Sequence, residues 1–224
     1  MNPTNRPQTA SEAERVRLPL SFYARHSTVV APELLGKVLV AGDTSGRISE
    51  VEAYAGDDDP ASHAFRGRTN RNAAMFGAAG HLYVYFTYGM HFCANVVTSE
   101  PGVATAVLLR AIEPIDGIEM MIARRGRSDN LADGPGKVCQ ALGIDRADDG
   151  TSLLEGPIGI YDDGWTSNRG VLVSPRIGIT KAVDAPWRWR LAPERTERLM
   201  RRSRGATPDG APTDRRRSGG NRSR

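Results

Sequence analysis

The residues best suited to chemistry are one carboxylate and the aromatic side chains that follow it. Glu52 stands in a Glu-Ala-Tyr triplet with Tyr54, and His63 follows after a short acidic loop. Three of the six tyrosines then fall within residues 83–88. This combination suits a flat, electron-poor ring that is held against aromatic faces while a bond to it breaks.

A strand is predicted over residues 47–54, where side chains alternate between the two faces of a sheet. Glu50, Glu52 and Tyr54 then share one face, and the apolar residues between them share the other. Because the apolar face must pack against the core, we expect the carboxylate face to open to solvent or to a cleft.

Two polar side chains interrupt strands that are otherwise apolar. Arg110 lies in a Val/Leu/Ile-rich run, and a buried guanidinium there needs a carboxylate. We expect Glu52 to be that partner, with Glu113 or Glu100 as structural alternatives. Asn95 lies between apolar residues and must also find hydrogen-bond partners.

A tight hairpin is predicted near Tyr88, and its register is left open by the sequence. A two-residue loop at 89–90 places Tyr85 and Asn95 on opposite faces of the hairpin. A three-residue loop at 89–91 pairs these two residues on one face. In either register Tyr88 lies at the tip, where it forms an exposed wedge unless something covers it.

Several cationic side chains could contact phosphate groups. One irregular loop carries three arginines, and its backbone N–H groups could join them in a phosphate clamp. The alternative is a surface loop that forms salt bridges with the acidic residues 57–59. The candidates are Arg66, Arg68 and Arg71 in this loop, together with Lys137 and Arg176, for which simple surface solvation is the alternative.

The spacing of the residues does not favour a metal site or covalent catalysis. The four histidines are scattered and the two cysteines are distant, so we expect no metal and no cofactor. Cys93 and Cys139 lie in apolar contexts and indicate reduced core residues in a reducing compartment. The span 52–95 contains no lysine, so a Schiff-base lyase reaction has no evident nucleophile there.

The elements that must position these residues are mostly short strands. The pattern predicts an α+β fold, a single mixed domain built on a curved, largely antiparallel β-sheet with flanking short helices. Strands are expected at 37–41, 47–54, 81–88, 92–98, 105–112, 156–161 and 172–180, and helices at 28–35, 115–124 and 135–143.

Composition divides the chain into three parts. We expect a disordered N-terminal segment at 1–17, a domain at 18–198 and a disordered Arg-rich tail at 199–224. Residues 201–224 contain eight arginines and two aspartates, a charge of +6, whereas the whole chain carries +4. The remainder is therefore slightly acidic, and any phosphate affinity there must come from local clusters. The tail is either a solvated electrostatic segment or an arm that tethers DNA.

The chain has no apolar run long enough for a membrane span and no start that resembles a signal peptide. We expect a cytoplasmic protein.

Taken together, these residues resemble the alkyladenine (3-methyladenine) DNA glycosylase family. The resemblance runs from residue 21 to residue 191 and leaves the Arg-rich tail outside it. The Tyr-Val-Tyr-x-x-Tyr-Gly-Met block, in order with Glu-Ala-Tyr, is its most specific part. The matching stretches are 34–37, 50–54, His63, 71–72, 75–76, 80–95, 108–114, 134–142 and 174–178.

The resemblance implies a monofunctional glycosylase of base-excision repair. Such an enzyme flips an alkylated or deaminated purine, of the 3-methyladenine or hypoxanthine type, out of double-stranded DNA and cleaves its N-glycosidic bond with water. We expect a monomer associated with the nucleoid through DNA.

The resemblance also implies roles for individual residues. Glu52 corresponds to the general base, and Arg110 to the residue that orients it. The other roles are walls of the base pocket (Tyr54, His63 and Tyr85), the residue that screens purines (Asn95) and the intercalating tip (Tyr88). Because the family requires Tyr85 and Asn95 in one pocket, it favours the three-residue loop or a bulge in the hairpin.

Two other functions remain open at this point. A sugar hydrolase could use Glu50 and Glu52, since residues two apart on a strand place their carboxyl groups on one side. A non-catalytic nucleic-acid-binding module could use the tyrosines as a stacking platform and the tail as an electrostatic anchor.

Overall fold

A curled, antiparallel nine-stranded sheet organises residues 15–193, the part of the chain that the computed structural model describes. The strands are β1 (Val16–Arg17), β2 (Val38–Ala41), β3 (Thr44–Tyr54), β4 (Leu82–Thr87), β5 (His91–Thr98), β6 (Thr105–Asp116), β7 (Ile158–Asp162), β8 (Val171–Ser174) and β9 (Arg188–Leu191). The helices are α1 (Leu20–Tyr23), α2 (Ser27–Leu34), α3 (Ile118–Arg125) and α4 (Pro135–Leu142). This mixed architecture confirms the predicted α+β class.

The strands follow the order β1-β7-β2-β3-β6-β5-β4, and the β8–β9 ribbon adds to β3. The long strands β3 and β6 form the centre, with Glu52 opposite Leu108. The first half of β3 pairs with β2, and residues 50–52 pair with β9 on the same edge. Register shifts at residues 48–51 accommodate this change of neighbour. The middle of β3 is therefore covered by strands on both edges.

The core lies between the sheet and the helices. Alternating apolar residues of the central strands, such as Ile48, Val51 and Leu109, are fully buried. Helix α4 begins with Pro135 and ends before Gly143, which takes the left-handed conformation that glycine tolerates. Its buried side chains Val138, Cys139, Ala141 and Leu142 pack toward β5 and β6. Burying each large aliphatic side chain contributes roughly 1.5–3 kcal/mol.

The outer edge of β4 is occupied by groups from residues 146–151. The Val84 N–H donates to the Asp149 carboxylate at 2.8 Å, and Arg146 donates to the Val84 carbonyl at 3.2 Å. Backbone hydrogen bonds join Leu82 to residues 150 and 151. The strand that carries Tyr83 and Tyr85 is thus fixed on both sides.

Several predicted boundaries differ from the structure. The turn between β2 and β3 has two residues rather than five, because Thr44 and Ser45 already pair with β2. The third helix begins at Ile118 rather than 115, because β6 continues to Asp116. The last predicted strand, 172–180, ends at Ser174, and residues 175–181 form a loop.

The terminal segments are only partly described. Val16 and Arg17 pair with β7, so the predicted disordered segment 1–17 is wrong at its last residues. Residues 1–14 and 194–224, which include the Arg-rich tail, lie outside the described residues. No helix within 15–193 has the length and hydrophobicity needed to cross a bilayer.

Candidate active site

Glu52 lies in the middle of β3 with its side chain fully buried. Its Oε1 accepts a hydrogen bond from the Ile177 N–H at 2.8 Å, and its Oε2 accepts one from the Tyr54 hydroxyl at 3.0 Å. The Arg110 Nη1 lies 3.2 Å from Oε2. These donors compensate the carboxylate for the water that it loses on burial.

Arg110 joins two carboxylates rather than one. Its Nε donates to Glu50 at 2.8 Å while Nη1 contacts Glu52. Glu50 also accepts a hydrogen bond from Arg188 at 3.1 Å. The ion pair expected between Arg110 and Glu52 is therefore present. Among the described residues, the second carboxylate that Arg110 contacts is Glu50, and not one of the structural alternatives Glu113 and Glu100.

The face of β3 that carries Glu52 borders a cavity through Tyr54, as the sequence predicts, but the Glu52 carboxylate itself is closed off from it. The Ile177 amide covers Oε1, and strand β9 pairs with the edge of β3 at this position. The neighbouring cavity is lined instead by Tyr54 and Arg110, the two side chains that contact Oε2. Glu52 is thus one hydrogen bond removed from the space where a ligand would bind.

This cavity has a volume of about 570 Å³, within the range of pockets that bind small organic groups. It is lined by aromatic rings, by the end of the hairpin and by the loop 177–181. Among the residues expected to build a base pocket, four line it: Tyr54, His63, Tyr85 and Asn95.

The rings of Tyr83, Tyr85 and His63 form one aromatic wall. Tyr83 and Tyr85 stack with centroids 5.4 Å apart, because alternate residues of β4 project from one face. His63 meets Tyr85 edge-on at 4.5 Å, and its Nδ1 lies 2.9 Å from the Tyr83 hydroxyl. Tyr83 was not among the predicted pocket residues, although its position two residues before Tyr85 was a signal for it.

The hairpin has a three-residue turn at 88–90, with Thr87 opposite His91. Tyr85 and Asn95 therefore lie on one face, as the three-residue loop predicts. The predicted pairing is wrong, however, because Asn95 pairs with Tyr83 and also donates to the Tyr83 carbonyl at 3.1 Å. The turn begins one residue earlier than expected because Tyr88 itself takes a positive φ of 51°.

Tyr88 projects from this turn and is 82% exposed. It lies at the rim of the cavity together with Thr87. Its position at the tip is the one that the sequence predicts.

Burial controls the protonation of the aromatic wall. It raises the pKa of Tyr83 to about 12. It also raises the pKa of Tyr54, with a further contribution from the Glu52 charge, and the pKa of Tyr85, with a contribution from Cys93. Partial burial, followed by the charge of Arg71, lowers the pKa of His63. At neutral pH the phenols therefore keep their protons and His63 is uncharged.

The predicted phosphate contacts fall into different environments. Arg66 and Arg68 are exposed, and Arg71 lies over the Tyr85 ring and donates to the Phe86 carbonyl at 3.3 Å. Lys137 forms an exposed ion pair with Asp133.

Arg176 does not fit the role of a phosphate contact. Its side chain is fully buried and paired with Asp59, which leaves no surface for a phosphate group to reach.

Sequence reasoning gave the loop 177–181 no role, although residues 177 and 178 lie in a stretch that matches the family, since the loop carries no acidic, histidine or aromatic residue. Ile177 supplies the amide that binds Glu52, and Lys181 lines the cavity. Cys93 also lines it, because it lies opposite Tyr85 in the hairpin. Within residues 15–193, His, Cys, Asp and Glu side chains form no group of three or more that could hold a metal ion.

Known proteins are similar in sequence to this chain over most of its length. Residues 21–195 match the family described as methylpurine-DNA glycosylase. A protein of Burkholderia orbicola named "Putative 3-methyladenine DNA glycosylase" is 50% identical over 190 residues, which cover 82% of this chain and 92% of that protein. Proteins with the same name from Methanoculleus marisnigri and Chlorobaculum parvum are 49% and 48% identical, over 78% and 77% of this chain and 94% and 86% of their own lengths.

The family match spans strands β2 to β9, the residues that line the cavity and the loop 177–181. The chain belongs to the methylpurine-DNA glycosylase family, and it is a DNA-repair hydrolase that cleaves N-glycosyl bonds.

Proposed function

We propose that this protein extrudes an alkylated or deaminated purine from duplex DNA into the aromatic cavity and hydrolyses its N-glycosidic bond with water that Glu52 activates. The observation that supports this most is that Glu52 accepts a hydrogen bond from Tyr54 and forms an ion pair with Arg110, since both of those side chains line the cavity. An acidic group is thereby coupled to a site that suits a flat ring.

Extrusion is required because an enzyme cannot reach the glycosidic bond of a base inside the stack, and it costs a few kcal/mol. A side chain that fills the gap offsets part of this cost, because base–aromatic stacking is worth roughly 1–3 kcal/mol. Tyr88 suits this role, since it is exposed and lies at the rim of the cavity.

The aromatic wall favours purines whose ring is positively charged. The faces of Tyr54, Tyr83 and Tyr85 attract a cation through their quadrupoles, whereas an uncharged His63 does not repel it. Alkylation at a ring nitrogen gives a purine this charge and also makes it a better leaving group. The cavity therefore selects lesions that need the least help to depart.

As the base departs, positive charge develops at C1′ of the sugar. The Glu52 carboxylate stabilises this charge, and it accepts the proton of the attacking water through Tyr54, whose hydroxyl donates its own proton to Glu52 as it takes up that of the water. Because Glu52 is fully buried, its charge acts in a medium of low dielectric constant, where it is more effective than in water. Arg110 lies between Glu52 and the cavity and orients the carboxylate and the water.

We further propose that water, and not an amine, is the nucleophile, so that the enzyme has no lyase step. The side chain of Lys181 lines the cavity and is the amine against which this proposal is tested. Borohydride reduction during the reaction should trap no covalent protein–DNA adduct, and an adduct that disappears in Lys181→Met would show an imine instead.

Replacement of Glu52 by glutamine tests the central step. Glu52→Gln keeps the size of the side chain but removes the base, so single-turnover excision should fall by about 10²–10⁴-fold. Binding to a lesion-containing duplex should stay near the wild-type level, because Glu52 is buried. The matched control is Glu113→Gln, which removes a carboxylate paired with Arg169 outside the cavity and should leave excision unchanged.

Near-normal excision by Glu52→Gln would reject the role of this residue. Lesion binding without base release by the wild-type protein would favour the non-catalytic module instead. The alternative of a sugar hydrolase is not favoured, because Glu50 is held by Arg110 and Arg188 and does not line the cavity.

A further inference from the structure

A buried ion pair between Asp59 and Arg176 lies next to the cavity and takes no part in the reaction described above. Both side chains are 0% exposed. The Arg176 Nη2 donates to Asp59 Oδ1 at 2.8 Å, and Nη1 donates to Oδ2, so the contact is bidentate. Neither residue lines the cavity itself.

A contribution to folding stability does not by itself explain why this ion pair is buried. Removing two charges from water costs several kcal/mol per ion, and a well-packed apolar pair is often at least as stable. The Arg176 Nε adds to the cost, because it is buried and finds no hydrogen-bond partner among the described residues. We therefore look for a role of the ion pair in the residues that it holds in place.

Asp59 organises one wall of the cavity. Its carboxylate accepts hydrogen bonds from the Ala55 N–H at 3.2 Å and the Ala61 N–H at 3.1 Å, and its carbonyl accepts one from the Ser62 N–H at 2.8 Å. These contacts fix the turn that leads from the end of β3 to His63. Pro60, Ala61 and His63 all line the cavity.

Arg176 organises a second part of the site. It donates to the Ala53 carbonyl at 3.0 Å, and this contact ties it to the β3 segment that carries Glu52. Its guanidinium lies 4.7 Å from the centre of the Tyr54 ring and 5.0 Å from that of Trp187. The cation therefore packs against one of the rings that line the cavity.

The residue after Arg176 contacts the proposed general base. The Ile177 N–H donates to Glu52 at 2.8 Å, and the loop 177–181 continues along the cavity. Because Arg176 is fixed at the start of this loop, its position sets where the Ile177 amide lies. Residues on both sides of the cavity are thus joined through one bidentate contact.

We propose that Asp59 and Arg176 are positioning residues that set the separation of the two cavity walls and hold the Ile177 amide against Glu52. This inference rests on the proposed function of Glu52. Since both side chains are buried and neither can reach DNA, the pair acts on the rate of base release and not on the affinity for a lesion. Arg176 thereby acquires a role that replaces the expected phosphate contact.

Asp59→Asn is the test, because it preserves the size of the side chain and removes its charge. A displacement of about 1 Å at a reacting group can cost roughly 10²-fold in rate. We expect the single-turnover rate at saturating enzyme to fall by about 10–100-fold, while the dissociation constant for a lesion duplex changes by less than about threefold. The thermal unfolding midpoint is measured on the same samples.

The matched control is Asp163→Asn. Asp163 forms a similar bidentate pair with Arg47, with distances of 2.8 and 3.0 Å, and the Arg47 guanidinium lies 4.4 Å from the Trp165 ring. No member of this second cluster lines the cavity. Asp163→Asn should lower the unfolding midpoint without changing the rate of base release.

Arg176→Lys is the second variant, and it decides the matter if Asp59→Asn does not fold. It keeps the charge but cannot form the bidentate contact, so we expect the same decrease in rate with retained lesion binding. Wild-type rates in the Asp59 and Arg176 variants, or an equal decrease in Asp163→Asn, would overturn the positioning role. Glu52→Gln is measured in parallel. Normal excision by this variant would mean that the proposed function fails. An inactive Glu52→Gln together with normal Asp59 and Arg176 variants would mean that only the present inference fails.

Discussion

At the scale of single residues, the site combines one fully buried carboxylate with aromatic rings that stay neutral. The sequence identified Glu52, Arg110 and most of the ring-bearing residues, because their types and alternation on strands are visible in the chain. It could not show that Glu52 is closed off by the Ile177 amide, 125 residues away in sequence. Such a contact depends on the path of a loop, which no local pattern encodes.

His63 gives a prediction for the effect of pH on activity. Because its pKa lies below the usual value near 6.5, it becomes charged only as the pH falls through that lowered pKa. The new charge adjoins Tyr85 and would repel a cationic base. Excision of a cationic methylpurine should therefore decline more steeply under acidic conditions than excision of neutral hypoxanthine, and His63→Gln should remove the difference.

The same residue affects folding in a defined direction. The unfolded chain binds the proton near pH 6.5, whereas the folded protein binds it only at lower pH, so the contribution of His63 to stability is intact above that value and is lost below it. Thermal unfolding at about pH 7.5 and pH 5.5 should show a larger decrease for wild type than for His63→Gln. Equal decreases would contradict the assignment of a lowered pKa.

At the scale of elements, the hairpin of β4 and β5 sets which groups can meet DNA. The sequence predicted its presence, and the family resemblance favoured the common face of Tyr85 and Asn95 over the alternative register. It did not predict the register, because the turn depends on whether a tyrosine accepts a left-handed conformation. Likewise, the boundary of β6 near residue 116 follows from pairing with β3, which is distant in sequence, and the start of β3 at residue 44 follows from a tight two-residue turn after β2.

Because Tyr88 has a positive φ, the role of its ring in base extrusion can be separated from the effect of its backbone conformation on stability. Tyr88→Ala and Tyr88→Gly should weaken base extrusion to the same extent, as measured by the fluorescence of a base analogue at the lesion. Their stabilities should differ by about 1 kcal/mol in favour of glycine, because only alanine keeps a Cβ at this φ.

Phe86→Ala is the control for this experiment. It removes an aromatic ring from the same hairpin. Phe86 follows Tyr85 in the strand, so its side chain lies on the opposite face and does not line the cavity. An unchanged extrusion equilibrium in both Tyr88 variants would contradict the proposed wedge.

At the scale of the whole molecule, charge is distributed unevenly along the chain. Residues 1–200 carry a net charge of −2, and residues 201–224 carry +6. Attraction to DNA must therefore come from local clusters in the folded part, from the C-terminal segment, or from both. The fold class and the family could be predicted from the sequence, because hydrophobic alternation and the tyrosine block are local signals.

Removal of residues 201–224 tests the role of that segment. The non-specific affinity for DNA should fall, and the slope of log K against log salt concentration should decrease by about 0.9 for each phosphate that the shortened protein no longer neutralises. The single-turnover rate at saturating enzyme should not change. A chain of full length with its eight C-terminal arginines replaced by glutamine separates charge from length, and an unchanged slope in both proteins would exclude an electrostatic role.

The occupied outer edge of β4 has a consequence for how copies of this protein behave at high concentration. An open strand edge beside an exposed aromatic tip would be a template for self-association through backbone pairing. Here Asp149, Arg146 and residues 150–151 already satisfy the backbone groups of Leu82 and Val84. The hairpin can therefore present its tip to a duplex without also offering a strand along which aggregates could grow.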